Sequence, residues 1–182
     1  MLGNRKNAPH QTKQMRWIVN VGNIVDQPAD VLICSANVLL NLSGGVGGEI
    51  LLRFGEGMQK ELHQYMADRH LRHVQRGEIV QTKPHGTRFT AVLHAVAVNG
   101  LYESSSQAIS DIVLKSLQHA ASLGARTVAL TALATGYGRL TMGQFASGIF
   151  PLKSLHFPPI EQVVICVRQK FDRDDLIAAL NL

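Results

Sequence analysis

Charge and aromatic rings are both scarce in this chain: 17% of its 182 residues are Asp, Glu, Lys or Arg, and 5% are Phe, Trp or Tyr. A nucleic-acid binder of the stacking type interleaves aromatics with a block of basic residues. Here the 18 Lys and Arg are scattered, so the net charge of +5 admits an anionic partner without favouring nucleic acid. Cysteine is scarcer still: Cys34 and Cys166 each sit in an apolar stretch, which excludes a disulfide framework and fits reduced, buried thiols. The longest near-apolar run, residues 91–98, is broken by His94 and falls far short of the roughly 18 residues that cross a bilayer. Residues 1–14 carry basic and amide side chains but no apolar segment of the secretory-signal kind. The expectation is a cytoplasmic protein with no membrane contact.

What remains is enough for a core. Hydrophobic residues make up 46% of the sequence and are spread along its length, so residues 15–182 read as one domain after a flexible lead-in over residues 1–14. Strand-like runs fall at residues 15–21, 31–34, 78–82, 88–98, 126–133 and 162–167. Between them, helical patterning falls at residues 49–54, 56–73, 104–123, 141–155 and 173–180, with Pro151 expected to kink or end the fourth helix and Gly124 to cap the third. The density of Ala, Val and Leu over residues 88–98 marks a central strand. This alternation predicts an α/β fold, a three-layer α/β/α sandwich around a mixed, largely parallel sheet.

In open sheets of this class ligands sit beyond the carboxyl ends of the strands. Two glycine-bearing loops follow two such strands: residues 37–48, ending in Ser43-Gly44-Gly45-Val46-Gly47-Gly48, and residues 134–140, containing Thr135-Gly136-Tyr137-Gly138. Glycine permits positive φ and close backbone approach, so successive N–H groups can converge on phosphate oxygens with a helix N-terminus behind them. Neither common nucleotide fingerprint is present: no Lys-Ser or Lys-Thr pair follows the first loop, and its glycine spacing is not that of a dinucleotide fold.

Order and spacing carry more than either loop. The run Val21-Gly22-Asn23-Ile24, then residues 30–37 ending Cys34-Ser35-Ala36-Asn37, then Gly44-Gly45-Val46, resembles the macrodomain pattern of a GDI turn, a strand ending in NAAN and a GGGV loop. Residues 77–82, Leu93-His94-Ala95-Val96 and Thr135-Gly136-Tyr137-Gly138 are similar to further motifs of that family, down to its second phosphate loop. The resemblance is to the Appr-1''-p processing type of macrodomain. It implies a cleft that binds ADP-ribose, free or attached to another molecule, without a metal or other cofactor. Carried over, Asn23 and Ile24 would meet the adenine. Gly44, Gly45, Val46 and Gly47, with Thr135, Gly136, Tyr137 and Gly138, would cradle the diphosphate, and Asn37 would contact the distal ribose and serve as the catalytic residue of a hydrolytic member. Three readings stay open: hydrolysis of an ADP-ribosyl ester such as O-acetyl-ADP-ribose or a mono-ADP-ribosyl carboxylate, non-catalytic reading of ADP-ribosylated protein or nucleic acid, and a drifted pocket for another nucleotide.

The departures from the pattern are specific. Asn23 stands where Asp is common, which removes charge assistance to the adenine amine. Cys34 replaces the first Asn of NAAN, and Gly47 occupies the place of an Asp in one hydrolytic branch. Glu49 is the nearest carboxylate and reads as a solvent-facing group in the first turn of a helix. The Thr135 loop is one residue shorter than the usual form, which leaves the direction of Tyr137 open. Outside the loops, His63, His70 and His73 fall on one side of the expected second helix but lack metal-ligand spacing, so they read as a solvated face. His94 reads as a buried hydrogen-bonding residue and Trp17 as core. Ser104, Ser105 and Ser106 read as a helix cap, and Phe171 either covers the adenine or makes a core or hinge contact.

Overall fold

Runs of Val, Ile, Leu and Ala with little polar interruption form the middle of the sheet, where both faces must be covered. A computed structural model describes residues 15–182; the lead-in expected over residues 1–14 lies outside the described residues. Six strands, β1 (Arg16–Val21), β2 (Val31–Ala36), β3 (Ile79–Thr82), β4 (Ala91–Val96), β5 (Thr127–Thr131) and β6 (Gln162–Val167), form one sheet in the order β1-β6-β5-β2-β4-β3. All neighbours are parallel except β3 and β4. The helices are α1 (Gly45–Phe54), α2 (Gly57–Asp68), α3 (Ser106–Ser122), α4 (Met142–Ile149) and α5 (Lys170–Leu180). The architecture is the mixed, largely parallel α/β sandwich that the alternation predicts. Every residue of β4 is buried, yet β4 lies second from the edge, shielded by the short β3, rather than at the centre.

Side chains alternate across each strand, and the two faces hold separate cores. Val31 and Ile33 of β2 join Ile109, Ile112 and Leu117 of α3, Phe145 of α4 and Leu176 of α5 on one side. Leu32 and Cys34 join Ile50 of α1 and Met58 and Leu62 of α2 on the other. Each fully buried Ile or Leu contributes about 1.5–3 kcal/mol, against about 1 kcal/mol for a cap. The apolar stripe of α3 therefore holds it to the sheet, while Ser105, whose Oγ accepts from Ala108 N at 3.2 Å, sets where it begins. Gly148 lets α4 lie against α3, since a Cβ there would stand 2.5 Å from Ser106 O.

Four helix boundaries differ from the sequence expectation by three residues or more. α1 starts at Gly45, four residues before Glu49, because burial of Ile50 outweighs the poor propensity of three glycines. α2 stops at Asp68 rather than residue 73: His70 takes a left-handed φ of +52° and Leu71 N donates back to Met66 O at 2.9 Å. α4 ends at Ile149, with Pro151 in a 3₁₀ turn over Phe150–Ser154. α5 begins at Lys170 rather than residue 173. No helix among the described residues is long and apolar enough to cross a membrane.

Candidate functional site

Beyond the carboxyl ends of β2, β5 and β6 lies a cleft of about 520 Å³, within the range of small-molecule sites. The structure brings together along it Gly44, Gly45, Val46 and Gly47 of the first glycine loop and Thr135, Gly136, Tyr137 and Gly138 of the second, with Asn23 and Ile24 on one side and Asn37 in the wall after β2; Gly48 does not line it. Arg168 is the one charged side chain among the described residues lining it; the buried His94 is neutral, and no carboxylate lines it.

The first loop is built around Asn37. Its Oδ1 accepts from Leu39 N (3.0 Å) and Asn41 N (3.2 Å), and its Nδ2 donates to Asn41 O (2.8 Å), folding residues 37–41 into an Asn-capped turn with Leu40 at φ +54°. Helix α2 braces this turn: Gln59 Oε1 accepts from Leu42 N (2.7 Å), Gln59 Nε2 donates to Leu40 O (2.9 Å), and His63 Nε2 donates to Asn41 Oδ1 (3.0 Å). Gly44 and Gly45 then adopt φ of +62° and +48°, conformations that a side chain disfavours. The first bond of α1 runs from Gly48 N to Gly44 O (2.8 Å), and no side chain caps the helix. Among the described residues the N–H groups of Gly45, Val46 and Gly47 therefore have no partner, and they stand at a positive helix end. Gly47 is required by packing, since a Cβ there would lie 2.8 Å from Leu42 Cα.

The second loop closes on itself. Leu140 N donates to Ala134 O (3.0 Å), Thr135 Oγ1 donates to Ala132 O (2.7 Å), and Ala134 and Arg139 take left-handed φ. The N–H groups of Gly136, Tyr137 and Gly138 have no partner among the described residues. Gly138 is again a packing requirement: a Cβ there would stand 2.5 Å from Ala134 O. Tyr137 crosses to the first loop, its hydroxyl only 2.6 Å from where a Cβ on Gly44 would be, and its ring centroid lies 6.2 Å from that of Tyr102. Tyr102 belongs to a second Asn-capped turn after β4, in which Asn99 Oδ1 accepts from Leu101 N (3.0 Å) and Glu103 N (2.9 Å).

At the other side of the cleft, Asn23 caps a 3₁₀ turn over Ile24–Asp26. Its Oδ1 accepts from Val25 N (3.3 Å) and its Nδ2 donates to Glu49 Oε1 (2.7 Å). Glu49 is thus not a solvent-facing first-turn residue: it is the fifth residue of α1, half-buried, and held between Asn23 and Arg53 Nη1 (3.7 Å). Arg53 also pairs with Asp26 at 2.8 Å, and that bond holds the Asp26 carboxyl below its usual pKa. The two ends of the Asn23 amide therefore have different partners, which fixes its orientation.

Under the first loop, His94 is fully buried between Cys34 Sγ (3.6 Å from Nδ1) and Thr82 Oγ1 (3.1 Å from Nε2). Burial pulls the imidazole pKa down to about 4 and pushes the Cys34 thiol up to about 12, so both groups stay neutral. The pair is inert packing rather than a nucleophile with its base. Cys166 is also buried and unbridged, with Sγ donating to Gly22 O (3.3 Å).

Sequence reasoning missed Gln59, Tyr102, Thr131 and Arg168. Thr131, on the cleft floor, has a buried hydroxyl without a partner among the described residues. Arg168 lies at the rim just after β6, whereas Phe171, on α5, is exposed and does not line the cleft. Only His63 of the three spaced histidines lies within α2, because the helix ends before His70 and His73. Trp17 is core, with its indole Nε1 unpartnered among the described residues.

The macro domain family model matches residues 33–148 of this chain. A macro domain-containing protein in the sno 5' region of Streptomyces nogalater is 36% identical over 126 residues, 69% of this chain and 70% of that protein. Another, SCO6450 of Streptomyces coelicolor, is 33% identical over 126 residues, 69% of this chain and 75% of the relative. Among solved structures, the Oceanobacillus iheyensis macrodomain with ADP superposes with a TM-score of 0.81 at 17% identity, covering 94% of this chain and 93% of that one. The Trypanosoma brucei macrodomain in complex with ADP-ribose gives a TM-score of 0.73 at 18% identity over 90% and 67% of the two chains.

Proposed function

This chain belongs to the macro domain family, and from that premise we propose that its cleft binds ADP-ribose, free or attached to another molecule, as a reader. One observation carries this reading: among the described residues, two groups of three unpartnered backbone N–H groups, at residues 45–47 and 136–138, line a single cleft into which no carboxylate projects. Such amides stabilise a diphosphate without a metal or a charged clamp. The Oceanobacillus and Trypanosoma macrodomains of the same fold were solved with ADP and with ADP-ribose, which supports the assignment.

In this reading Asn23 and Ile24 meet the adenine. Because Glu49 takes the Asn23 Nδ2 donor, the remaining acceptor capacity of Oδ1 faces the adenine amine. Thr135 and Tyr137 stand over the diphosphate with Gly44, Gly45, Val46, Gly47, Gly136 and Gly138 around it. Asn37 spends both oxygen lone pairs and one N–H on its own turn, leaving one N–H to donate to a distal-ribose hydroxyl.

The same accounting disfavours hydrolysis. Gly47 has no room for a carboxylate, Glu49 is engaged with Asn23, and an amide is no general base. Calorimetric titration of the folded protein with ADP-ribose tests the reading: saturable binding at one site is expected, and no heat at millimolar ligand removes it. Incubation with O-acetyl-ADP-ribose should give no release above the uncatalysed rate. Turnover that disappears in Asn37→Ala while ADP-ribose still binds would restore the hydrolase reading.

A further inference from the structure

Two aromatic rings close the Asn37 end of the cleft. The turn over residues 99–103 follows β4 as the turn over residues 37–41 follows β2, and the two strands are paired with Ala36 opposite Val96. Tyr102 therefore lines the cleft at the same end as Asn37, where the proposed reading puts the distal ribose. It is held there at φ +61°, in the left-handed region that a bulky side chain avoids. The turn imposes that conformation: Asn99 N donates to Glu103 O (3.0 Å), Tyr102 N to Asn99 O (3.0 Å) and Ser104 Oγ to Ala97 O (2.6 Å). Tyr137 arrives from the second loop, with ring centroids 6.2 Å apart and ring planes at 52°. At that tilt the pair is a two-walled corner rather than a stack, and both rings are exposed.

Elsewhere in the molecule ring faces are covered by cations: Arg69 lies 3.9 Å from the Tyr65 centroid, Arg53 5.4 Å from that of Phe54 and Lys153 5.5 Å from that of Phe150. Among the described residues no cation covers Tyr102 or Tyr137. Arg139 shares a loop with Tyr137 but does not line the cleft. Glu103, next to Tyr102, accepts from Asn99 Nδ2 (2.9 Å) and pairs with no basic side chain among the described residues. Open ring faces beside an uncompensated carboxylate attract a cation, most strongly a planar or alkylated one that sheds its water easily. The amide cups, by contrast, attract an anion. This half of the cleft therefore suits a ligand whose charge changes sign from the diphosphate to the group beyond the distal ribose.

We propose that Tyr102 and Tyr137 form a cation seat at the mouth of the cleft, so that the preferred ligand is an ADP-ribosyl group whose anomeric carbon carries a cationic nitrogen group, a pyridinium or a guanidinium, rather than a neutral ester. This rests on the cleft being an ADP-ribose site. Titration with NAD+ and NADH tests it, because the two differ by one hydride and hence in the charge of the ring. Wild type should bind NAD+ about fivefold more tightly. The net charge of +5 favours the more anionic NADH, so this order reports the local seat and not the overall field. Tyr102→Leu, checked for an unchanged melting curve, should bring the two affinities level, while Tyr102→Phe, which keeps the ring, should retain the preference. Tyr137→Leu, at an exposed tip, makes the same test if Tyr102→Leu does not fold. ADP-ribosyl-agmatine should likewise bind more tightly than O-acetyl-ADP-ribose, and whichever of NAD+ and the agmatine conjugate binds better names the source of the cation. Wild type that holds NADH as tightly as NAD+ overturns the proposal, as does a preference that survives both leucine variants, or O-acetyl-ADP-ribose that binds as tightly as both cationic probes. With ADP-ribose still bound, those results sink this inference alone; if ADP-ribose does not bind, the reading of the cleft falls and takes the seat with it.

Discussion

Residues 37–47 and residues 134–140 offer the same backbone donors from opposite kinds of support. The first loop is fastened from outside, by Gln59 and His63 of α2 and by the close fit of Gly47 on Leu42. The second is closed by its own backbone and by Thr135, and its Tyr137 is 71% exposed while reaching across to Gly44. Side-chain bracing from a packed helix lowers the ordering cost of binding, and a self-closed loop with an exposed tip opens locally at little cost. One half of the proposed diphosphate cradle is thus prebuilt, and the other is free to adjust.

The sharpest way to break the prebuilt half is through pH. His94, on β4 beside the strand that leads into the first loop, has a pKa lowered by burial to about 4 from an ordinary value of 6.5. Above pH 6.5 both folded and unfolded chains leave it neutral and stability is unaffected. As pH falls from 6.5 to 4 the unfolded chain takes up a proton that the folded chain refuses, so stability drops by on the order of 3 kcal/mol across that window. Denaturant melts at pH 7 and pH 4.5 measure the loss, and the His94 imidazole resonance should not titrate above about pH 5.

Next in size is Gly47→Asp. Placing a side chain 2.8 Å from the Leu42 backbone should cost about 2–3 kcal/mol and lower the melting temperature by roughly 4–12 °C. It should not create hydrolytic activity. Gln59→Ala comes third: it strands Leu42 N and Leu40 O and should cost about 2 kcal/mol, with ADP-ribose affinity down about tenfold because the loop is no longer preformed. Smallest is Tyr137→Ala, on the self-closed side, which should stay within about 0.5 kcal/mol of wild type in stability while speeding ADP-ribose dissociation in stopped flow. If Tyr137→Ala destabilises as much as Gln59→Ala, the contrast between the loops is wrong.

What could be read before the structure depended on how local its cause was. The last strand has the expected bounds, Gln162–Val167, because its apolar run stands alone between polar flanks. The site's glycines, Asn23 and Asn37 were legible because their spacing is itself the signal. The start of α1 was hidden by Gly45, Gly47 and Gly48, whose propensity opposes the helix that packing imposes. The end of α2 was hidden because His70, not glycine, takes the left-handed position. Gln59 and Glu49 act on residues distant in sequence, through contacts that no spacing rule announces.

A crystal of the protein soaked with ADP-ribose tests the central claim most directly. The account predicts diphosphate oxygens within about 3 Å of the N–H groups at residues 45–47 on one side and 136–138 on the other, with adenine beside Asn23. Electron density that puts the phosphates elsewhere, leaving both sets of amides open, would contradict it.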